Sequence, residues 1–329
     1  MARKITLIGG SGFVGTNLCR LLALEQQDFE IIDLKMSREF PEKCKIGDVR
    51  NLESLREVIT GDVVVNLAAV HRDDVRERSE YQKTNIDGAK NVAQICTEKE
   101  INKIIFTSTV AVYGHAEPGT NEGGAIKPFN EYGRTKFEAE EHLRAWQSCT
   151  AKSLIIIRPT VIFGEGNRGN VYNLLNQIAS NRFVMVGSGE NKKSIAYIGN
   201  VVAFLATCIS TDQKYGLYNY VDTPDFTMNE LVSEVRNKLK QKQGVGLRLP
   251  YLCGVLIGYI ADGLAKLIGR NLPVSSIRIK KFVASTEFVS SSATLDDFIP
   301  PFHLSEGLER TLNSEFVSPD PKREVFFTE

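Results

Sequence analysis

The sequence predicts a doubly wound α/β fold, in which helices cover both faces of a parallel sheet, followed by a smaller C-terminal domain. Short runs rich in Val, Ile and Leu alternate with longer segments of helical periodicity over the first 220 residues. Strands of this composition are typical of parallel sheets that are buried on both faces. A glycine-rich turn follows the first of these runs directly. The length of 329 residues allows one large domain or two smaller ones.

Seven strands alternate with five helices in the first two thirds of the chain. The predicted strands are Lys4–Ile8, Glu30–Asp33, Lys45–Ile46, Val63–Asn66, Lys103–Ser108, Ser153–Arg158 and Leu217–Val221. The predicted helices are Phe13–Gln26, Leu52–Thr60, Tyr81–Lys99, Tyr132–Cys149 and Val201–Ser210. Further on, Thr227–Lys240 has the pattern of an amphipathic helix, and Glu230 three residues after Thr227 indicates a capping box.

From this order we expect two domains. Residues 1–165 and 195–224 form the larger one, and residues 166–194 and 225–317 form the smaller one. Residues 318–329, which include two prolines, are expected to be a loose tail.

Composition excludes several classes of function. Forty basic residues balance forty acidic ones, so no basic face for nucleic acid is indicated. The six cysteines show no C-x-x-C pattern and the four histidines are far apart, which argues against a disulfide scaffold and a metal site. The first apolar run spans four residues, too short for the core of a secretory signal. We therefore expect a cytoplasmic protein.

The glycine-rich turn lies between the first strand and the first helix and predicts a dinucleotide site. Its sequence is Gly9-Gly10-Ser11-Gly12-Phe13-Val14-Gly15. Glycines permit a tight turn there and let backbone N–H groups approach a pyrophosphate at the helix N-terminus. A tight turn without a ligand is the alternative, but the strand–turn–helix context favours the dinucleotide.

Residues at three other strand ends are candidates for the same cofactor. Asp33 ends the second strand and is suited to the adenosine ribose, which favours NAD; the nearby Lys35 and Arg38 leave NADP open. Asp48 and Val49 follow the third strand, where an adenine could lie. Leu67, Ala68 and Ala69 follow the fourth strand, where small residues allow close approach of the dinucleotide.

An acid–base pair is predicted on the helix that begins near Tyr132. Tyr132 and Lys136 are four residues apart and therefore share one helix face. A nearby cation favours the phenolate and lowers the pKa of a tyrosine, which suits it to proton transfer. The fifth strand ends in hydroxyl residues up to Thr109, at the edge where ligands of such sheets bind.

Taken in order, these motifs resemble the extended short-chain dehydrogenase/reductase superfamily, and within it the NAD-dependent nucleotide-sugar epimerase/dehydratase family. The motifs are GGSGFVG, Asp33, NLAA, FTSTVAVYG, YGRTK and RPTVIFGEG. The resemblance implies a Rossmann-type domain with Thr109, Tyr132 and Lys136 as the catalytic set. It implies that Lys136 binds the nicotinamide ribose and lowers the Tyr132 pKa, and that Pro159 borders the cofactor.

The resemblance also narrows the reaction. The family's dehydratases carry Asp-Glu after the threonine and its decarboxylases carry Glu at the second position, whereas this chain has Val110 and Ala111. C4 epimerisation of a UDP-hexose or UDP-N-acetylhexosamine through a 4-keto intermediate is therefore the leading hypothesis, with a role in polysaccharide biosynthesis. An NAD(P)-dependent reductase or dehydrogenase of a keto-sugar, lipid-linked sugar or sterol-like alcohol is the alternative. A non-catalytic dinucleotide-binding protein is a third.

Substrate and partner contacts are also implied by the resemblance. Asn170 and Lys193 match positions that contact the nucleotide-sugar substrate, together with Thr109 and Tyr132. Either Arg270 or Arg278 would supply a second basic contact to the diphosphate. A homodimer is expected to form through the helices predicted at residues 81–99 and 132–149.

The segment Leu249–Gly269 is unusually apolar and has helical spacing. We expect a helix that is buried or packed in a dimer. A peripheral membrane contact, or a surface for a lipid substrate, is the alternative interpretation.

Overall fold

The structure is a computed structural model, and it describes residues 3–72, 75, 77–268 and 275–328. Its centre is a seven-stranded sheet in the order β10-β6-β5-β4-β1-β2-β3, in which all neighbouring strands are parallel. These strands are β1 (Ile5–Ile8), β2 (Phe29–Asp33), β3 (Cys44–Ile46), β4 (Val63–Asn66), β5 (Lys103–Thr107), β6 (Ser153–Pro159) and β10 (Tyr215–Tyr220).

The predicted doubly wound fold is confirmed. The seven predicted strands are the seven strands of this sheet, with ends that differ by two residues at most. The strand order reverses at β1, which lies between β2 and β4. Ligands of such sheets bind outside the carboxyl ends of the strands at this reversal.

Eleven α-helices lie in the described residues. They are α1 (Phe13–Leu24), α2 (Leu52–Val58), α3 (Ser79–Tyr81), α4 (Gly88–Glu98), α5 (Glu131–Thr150), α6 (Asn170–Ala179), α7 (Ile198–Ser210), α8 (Met228–Lys240), α9 (Tyr251–Ile268), α10 (Ser276–Val283) and α11 (Leu304–Leu312). The helix predicted at 81–99 is a continuous run in which a π-helical turn, Gln82–Asp87, joins α3 to α4. The capping box that begins α8 at Thr227 is present as predicted.

The core has a separate hydrophobic cluster on each face of the sheet. Alternation along β1 shows this directly: Ile5 and Leu7 belong to one cluster and Ile8 to the other. Successive side chains of a strand point to opposite faces, so both faces of β1 must be apolar. This two-sided burial fixes the strand ends that carry the glycine turn and the hydroxyl residues.

Four short strands outside the main sheet were not predicted. β7 (Val161–Phe163) pairs with β9 (Ile195–Tyr197), and β8 (Met185–Val186) pairs with β11 (Arg248–Leu249). Runs of two or three residues carry too little periodicity for recognition in a sequence.

The end of the tail expected from the sequence contacts the protein: residues 324–326 and 328 are half-buried, whereas residues 318–323 are exposed. The amide of Phe326 donates to the Gly166 carbonyl (2.9 Å), and its carbonyl accepts from the Arg168 amide (2.8 Å). The Phe326 ring lies 5.7 Å from the Phe13 ring. Phe326 anchors this tail by contacting a residue far away in the chain, and such a contact produces no periodic signal in the sequence.

Helix α9 forms where the apolar segment was predicted, but it is not buried within the chain. Leu252, Leu256 and Ile260 are 78%, 62% and 56% exposed. The expectation of a buried helix is therefore wrong for the single chain, because small residues rather than large ones face the protein. Among the described residues, no helix combines the length and apolar character needed to cross a membrane. Gly269 lies outside the described residues.

Candidate active site

The glycine turn brings the backbone of β1 close to that of β4. Gly9 has φ +78°, and a Cβ there would lie 2.8 Å from the Ala68 amide nitrogen. A Cβ on Gly15 would lie 2.5 Å from the Cα of Gly10. Gly12 precedes α1 in an extended conformation, and Phe13 begins the helix with its ring buried. Leu67, Ala68 and Ala69 thus lie beside the turn, as their predicted shared role requires.

Asp33 lies at the end of β2 and holds the turn from the other side. Its carboxylate accepts hydrogen bonds from the amides of Ser11 (3.0 Å) and Lys35 (3.2 Å). Its position next to the glycine turn matches the place predicted for an adenosine ribose. Arg38, which could have offset its charge, pairs with Glu324 of the tail at 3.5 Å.

Asp48 and Val49 follow β3 as predicted, but the Asp48 carboxylate is already engaged. It accepts hydrogen bonds from the Arg50 guanidinium at 2.8–3.0 Å, which lowers the Asp48 pKa. Val49 is buried, and its carbonyl accepts from the Asn91 side chain (2.8 Å). An adenine would therefore meet the backbone and the outer edge of this carboxylate.

Tyr132 and Thr109 come together at the carboxyl edge of the sheet. Thr109 follows β5 and caps the 3₁₀ turn Val110–Tyr113, because its hydroxyl accepts from the Ala111 amide (3.1 Å). Asn130 caps α5 by accepting from the Gly133 amide (2.9 Å), which sets Tyr132 in the first helical turn. The Thr109 hydroxyl lies close enough to the Tyr132 hydroxyl to lower its pKa.

Burial raises the pKa of Tyr132 to about 12, and the hydrogen bond with Thr109 only partly opposes this. The sequence predicted a lowered pKa for Tyr132 through Lys136. In this structure burial outweighs any such effect.

Lys136 lies one helical turn after Tyr132, with its ammonium buried. Its Nζ lies 4.0 Å from the centre of the Phe106 ring, and it is one of the few buried polar atoms among the described residues with no hydrogen-bond partner. Burial lowers the Lys136 pKa to about 7, although Glu140 opposes this shift. A buried amine without a partner is costly, and ribose hydroxyls would satisfy it. The Lys136 ammonium and the glycine turn therefore fit a dinucleotide.

A buried ion pair behind this cluster escaped the sequence analysis. The Arg158 guanidinium donates to both oxygens of Glu140, and its NH1 donates to the Tyr113 hydroxyl (2.7 Å). Glu140 also accepts from the Ser108 hydroxyl, next to Thr109. Glu140 is four residues after Lys136 on the same helix face. This four-residue spacing could have indicated from the sequence that Glu140 lies near Lys136.

His71 is a second residue that the sequence analysis left aside. Its ring lies 6.4 Å from the ring of Tyr132, and its Nε2 is 3.1 Å from the carbonyl oxygen of Thr328 in the tail. Burial lowers the His71 pKa. The loop that carries His71 is fixed by Asn85, whose side chain bonds both backbone groups of Val70 (2.8 and 3.0 Å).

The predicted substrate contacts lie on other elements. Asn170 begins α6 and is exposed, and Pro159 ends β6. Lys193 donates to the carbonyls of Lys281 (2.9 Å) and Ala284 at the end of α10, and burial lowers its pKa to about 8. Arg278 lies in α10, whereas Arg270 lies outside the described residues.

Comparison with known proteins agrees with this arrangement. Residues 5–220 match the model of the NAD dependent epimerase/dehydratase family. The chain belongs to this family. The resemblance inferred from the motifs is thereby confirmed, and the matched residues contain the glycine turn, Thr109, Tyr132 and Lys136.

Several relatives align with nearly the whole chain. An Escherichia coli O157:H7 protein named N-acetyl-alpha-D-glucosaminyl-diphospho-ditrans,octacis-undecaprenol 4-epimerase is 48% identical over 96% of each chain. A UDP-glucose 4-epimerase from Vibrio cholerae is 28% identical over 94% of this chain and 95% of its own. A solved UDP-glucuronic acid 4-epimerase from Bacillus cereus in complex with NAD has a TM-score of 0.71 at 20% identity, covering 94% of this chain and 97% of its own.

Proposed function

We propose that this member of the NAD-dependent epimerase/dehydratase family inverts C4 of a diphosphate-linked N-acetylhexosamine. The observation that carries the proposal is the cluster of Thr109, Tyr132 and Lys136 at the carboxyl edge of the sheet, in which the buried Lys136 ammonium has no hydrogen-bond partner. Val110 and Ala111 follow Thr109 without a carboxylate. Water loss and decarboxylation are therefore disfavoured, and hydride transfer at a secondary alcohol remains.

In this proposal the side chains of the site accept the proton of the C4 hydroxyl, hold it and return it. Bound NAD supplies the acceptor, and later the donor, of the C4 hydride. Tyr132 takes the proton of the C4 hydroxyl as the 4-keto sugar forms. It returns the proton to the C4 oxygen after the 4-keto sugar has rotated and is reduced from its opposite face. Thr109 donates a hydrogen bond to the reacting oxygen. Lys136 binds the nicotinamide ribose, and in its charged form favours the phenolate of Tyr132.

The cofactor contacts are assigned to the strand ends around the glycine turn. Gly9, Gly12, Phe13, Val14 and Gly15 surround the pyrophosphate, and Asp33 binds the adenosine ribose. Asp48 and Val49 border the adenine. Leu67, Ala68, Ala69 and Pro159 line the path toward the nicotinamide. The Asp33 carboxylate beside the glycine turn supports NAD over NADP, because its charge would repel a 2′-phosphate.

The carrier of the sugar is proposed to be a polyprenyl diphosphate. The 48% identical relative carries such a substrate in its name, and the exposed apolar helix α9 supports a lipid. A UDP-N-acetylhexosamine, expected from the sequence, shares the sugar diphosphate and is the second candidate. Asn170, Lys193 and Arg278 are assigned to the substrate side in both cases.

The assembly and location follow as proposals from the same observations. We propose a homodimer through α4 and α5, since these helices match those that pair in the family. A cytoplasmic enzyme of polysaccharide biosynthesis with a peripheral membrane contact in residues 249–269 fits the remaining features.

The first experiment is an NMR assay of the purified protein without added cofactor. The substrates are N-acetylglucosaminyl diphosphate on a short polyprenol and UDP-N-acetylglucosamine. New anomeric signals of the C4 epimer are expected with the polyprenyl substrate. Stoichiometric reduction of added NAD(P) by one of these sugar alcohols would instead support a dehydrogenase, an alternative that the exposed apolar helix and a lipid-linked alcohol would also fit.

Tyr132→Phe tests the proton carrier. The variant keeps the ring and is expected to lose about 10²- to 10⁴-fold in kcat, the usual contribution of general acid–base catalysis. Its content of bound NAD should not change. Tyr215→Phe, at a half-exposed tyrosine on β10, is the control and should keep full activity. A kcat of Tyr132→Phe within threefold of the wild type would refute the assignment.

A further inference from the structure

The hairpin of α9 and α10 carries its large apolar side chains on the outside. Among the described residues, 21 large apolar side chains are exposed, and ten of these lie between Leu247 and Ile277. The outer face of α9 presents Leu252, Leu256, Tyr259, Ile260, Leu264 and Ile268. Soluble monomers rarely expose a contiguous apolar patch of this kind without a partner for it.

The inner face of α9 explains why the large apolar side chains of this helix lie outside. A Cβ on Gly254 would lie 2.4 Å from the Val186 side chain, and one on Gly258 would lie 2.7 Å from the Ser276 backbone. Asp262, one turn further, accepts hydrogen bonds from the Ser276 amide (3.2 Å) and hydroxyl (2.6 Å). The outer row at 252, 256 and 260 is two residues away from this inner row, about 200° around the helix. The protein therefore packs on the small and polar residues and leaves the large apolar ones outside.

The same segment is strongly basic in a chain that is neutral overall. Residues 241–285 contain seven lysines and arginines and one acidic residue, Asp262. Asp262 accepts from Ser276, and its single negative charge leaves most of these positive charges unbalanced. Lys266 and Lys280 are exposed at the two sides of the hairpin. The described helices α9 and α10 thus combine exposed apolar side chains with an excess of basic residues, four against one acidic residue.

We propose that the α9–α10 hairpin docks on the surface of an anionic phospholipid bilayer. The helix would lie in the plane of the interface over its length of about 27 Å, with the outer row among the acyl chains. The basic side chains would contact lipid phosphates. Both parts of the surface, apolar and cationic, match this partner, whereas a second neutral copy of the chain would match only the apolar part.

The hairpin is continuous with the candidate active site. Lys193 bonds the last carbonyls of α10. The ammonium of Lys281 lies 5.2 Å from the centre of the Phe129 ring, and Phe129 precedes the cap of the helix that carries Tyr132. Docking would therefore hold the start of α5, with Tyr132, near the headgroups, so that a lipid-linked sugar enters while its chain stays in the bilayer. The docking deepens the membrane contact proposed above for residues 249–269 by naming its lipid, and the entry of the substrate rests on the proposed C4 epimerisation.

The test is flotation of the full chain, without substrate, through a density gradient with vesicles. One set contains phosphatidylglycerol and phosphatidylethanolamine in equal parts, and the other contains phosphatidylcholine alone. The wild type is expected to float with the anionic vesicles only. Leu256→Gln/Ile260→Gln should lower the bound fraction at least about tenfold, because it removes two apolar anchors. Leu24→Gln/Ile299→Gln, at residues 80% and 82% exposed elsewhere, should float like the wild type.

Several outcomes would overturn the inference. The wild type could remain in the aqueous fraction, or could bind both vesicle types equally, or Leu256→Gln/Ile260→Gln could float unchanged. Light scattering could also show that this variant loses only an oligomer, in which case a second copy covers the face. Epimerase activity in detergent is measured in parallel. Vesicle binding without such activity on any substrate would refute the proposed function alone, and activity without binding would refute the docking alone.

Discussion

Removal of Arg158 tests what holds the acid–base cluster in place. The side chains of Arg158 and Glu140 are 2% and 0% exposed, and the pair connects β6 to the helix that carries Tyr132 and Lys136. Breaking such a pair from one side costs about 3–5 kcal/mol, because an uncompensated charge remains buried. In Arg158→Met, Arg144 still contacts Glu140 at 2.7 Å. We therefore expect a loss near the lower limit, about 3 kcal/mol in the free energy of unfolding.

Urea unfolding followed by circular dichroism measures this loss. A change of about 3 kcal/mol corresponds to a roughly 10²-fold rise in the unfolding constant. The double variant Arg158→Met/Glu140→Gln removes the buried charge as well and should be more stable than Arg158→Met. A loss below about 1 kcal/mol in the single variant would contradict the reasoning, since neutral hydrogen bonds alone would account for it. A double variant less stable than Arg158→Met would contradict it too.

Three further predictions concern other parts of the molecule. Burial alone would raise the pKa of Glu30, but hydrogen bonds from Lys45, Thr60 and Thr6 lower it to about 2. Its stabilisation is thus present above the unfolded pKa and lost as pH falls toward 2, so Glu30→Gln should flatten the acid arm of a stability–pH curve; an unchanged arm would contradict this. Gly9→Ala should reduce the NAD that copurifies, because its Cβ would meet the Ala68 amide; full NAD content would argue against the close approach. Deletion of residues 319–329 should speed NAD release in a trapping assay, since this tail bonds His71 and Arg38; an unchanged rate would limit the tail to packing.

The sheet was predictable because its strands are local and strongly patterned. Strands β1, β4 and β6 are rich in Val, Ile or Leu and buried at every position, whereas Lys45 and Ile46 of β3 are exposed. The proximity of the proposed acid–base residues was predictable for a related reason: Tyr132 and Lys136 are four residues apart, and Thr109 follows a strand whose carboxyl edge is fixed by the fold. Glu140 could have been added on spacing alone.

The remaining features depend on contacts between residues far apart in the chain. Phe326 meets Phe13 across more than 300 residues, and its sequence neighbours give no hint of that contact. His71 gains its position from Asn85 and from the tail. The orientation of α9 was missed because a hydrophobic helix is ordinarily assumed to turn its large side chains inward. Tyr132 was assigned a lowered pKa because the sequence shows a neighbouring cation but not the extent of burial.

The inverted packing of α9 has a consequence for how this region can vary in evolution. In an ordinary core helix the large residues are constrained in shape, while the outer ones drift freely. Here Gly254 and Gly258 admit no side chain, because Val186 and Ser276 occupy the space. The outer positions only need to remain apolar, with no complementary surface to fit. Saturation mutagenesis should therefore find the small residues nearly invariant and Leu, Ile, Val and Phe interchangeable at 252, 256 and 260.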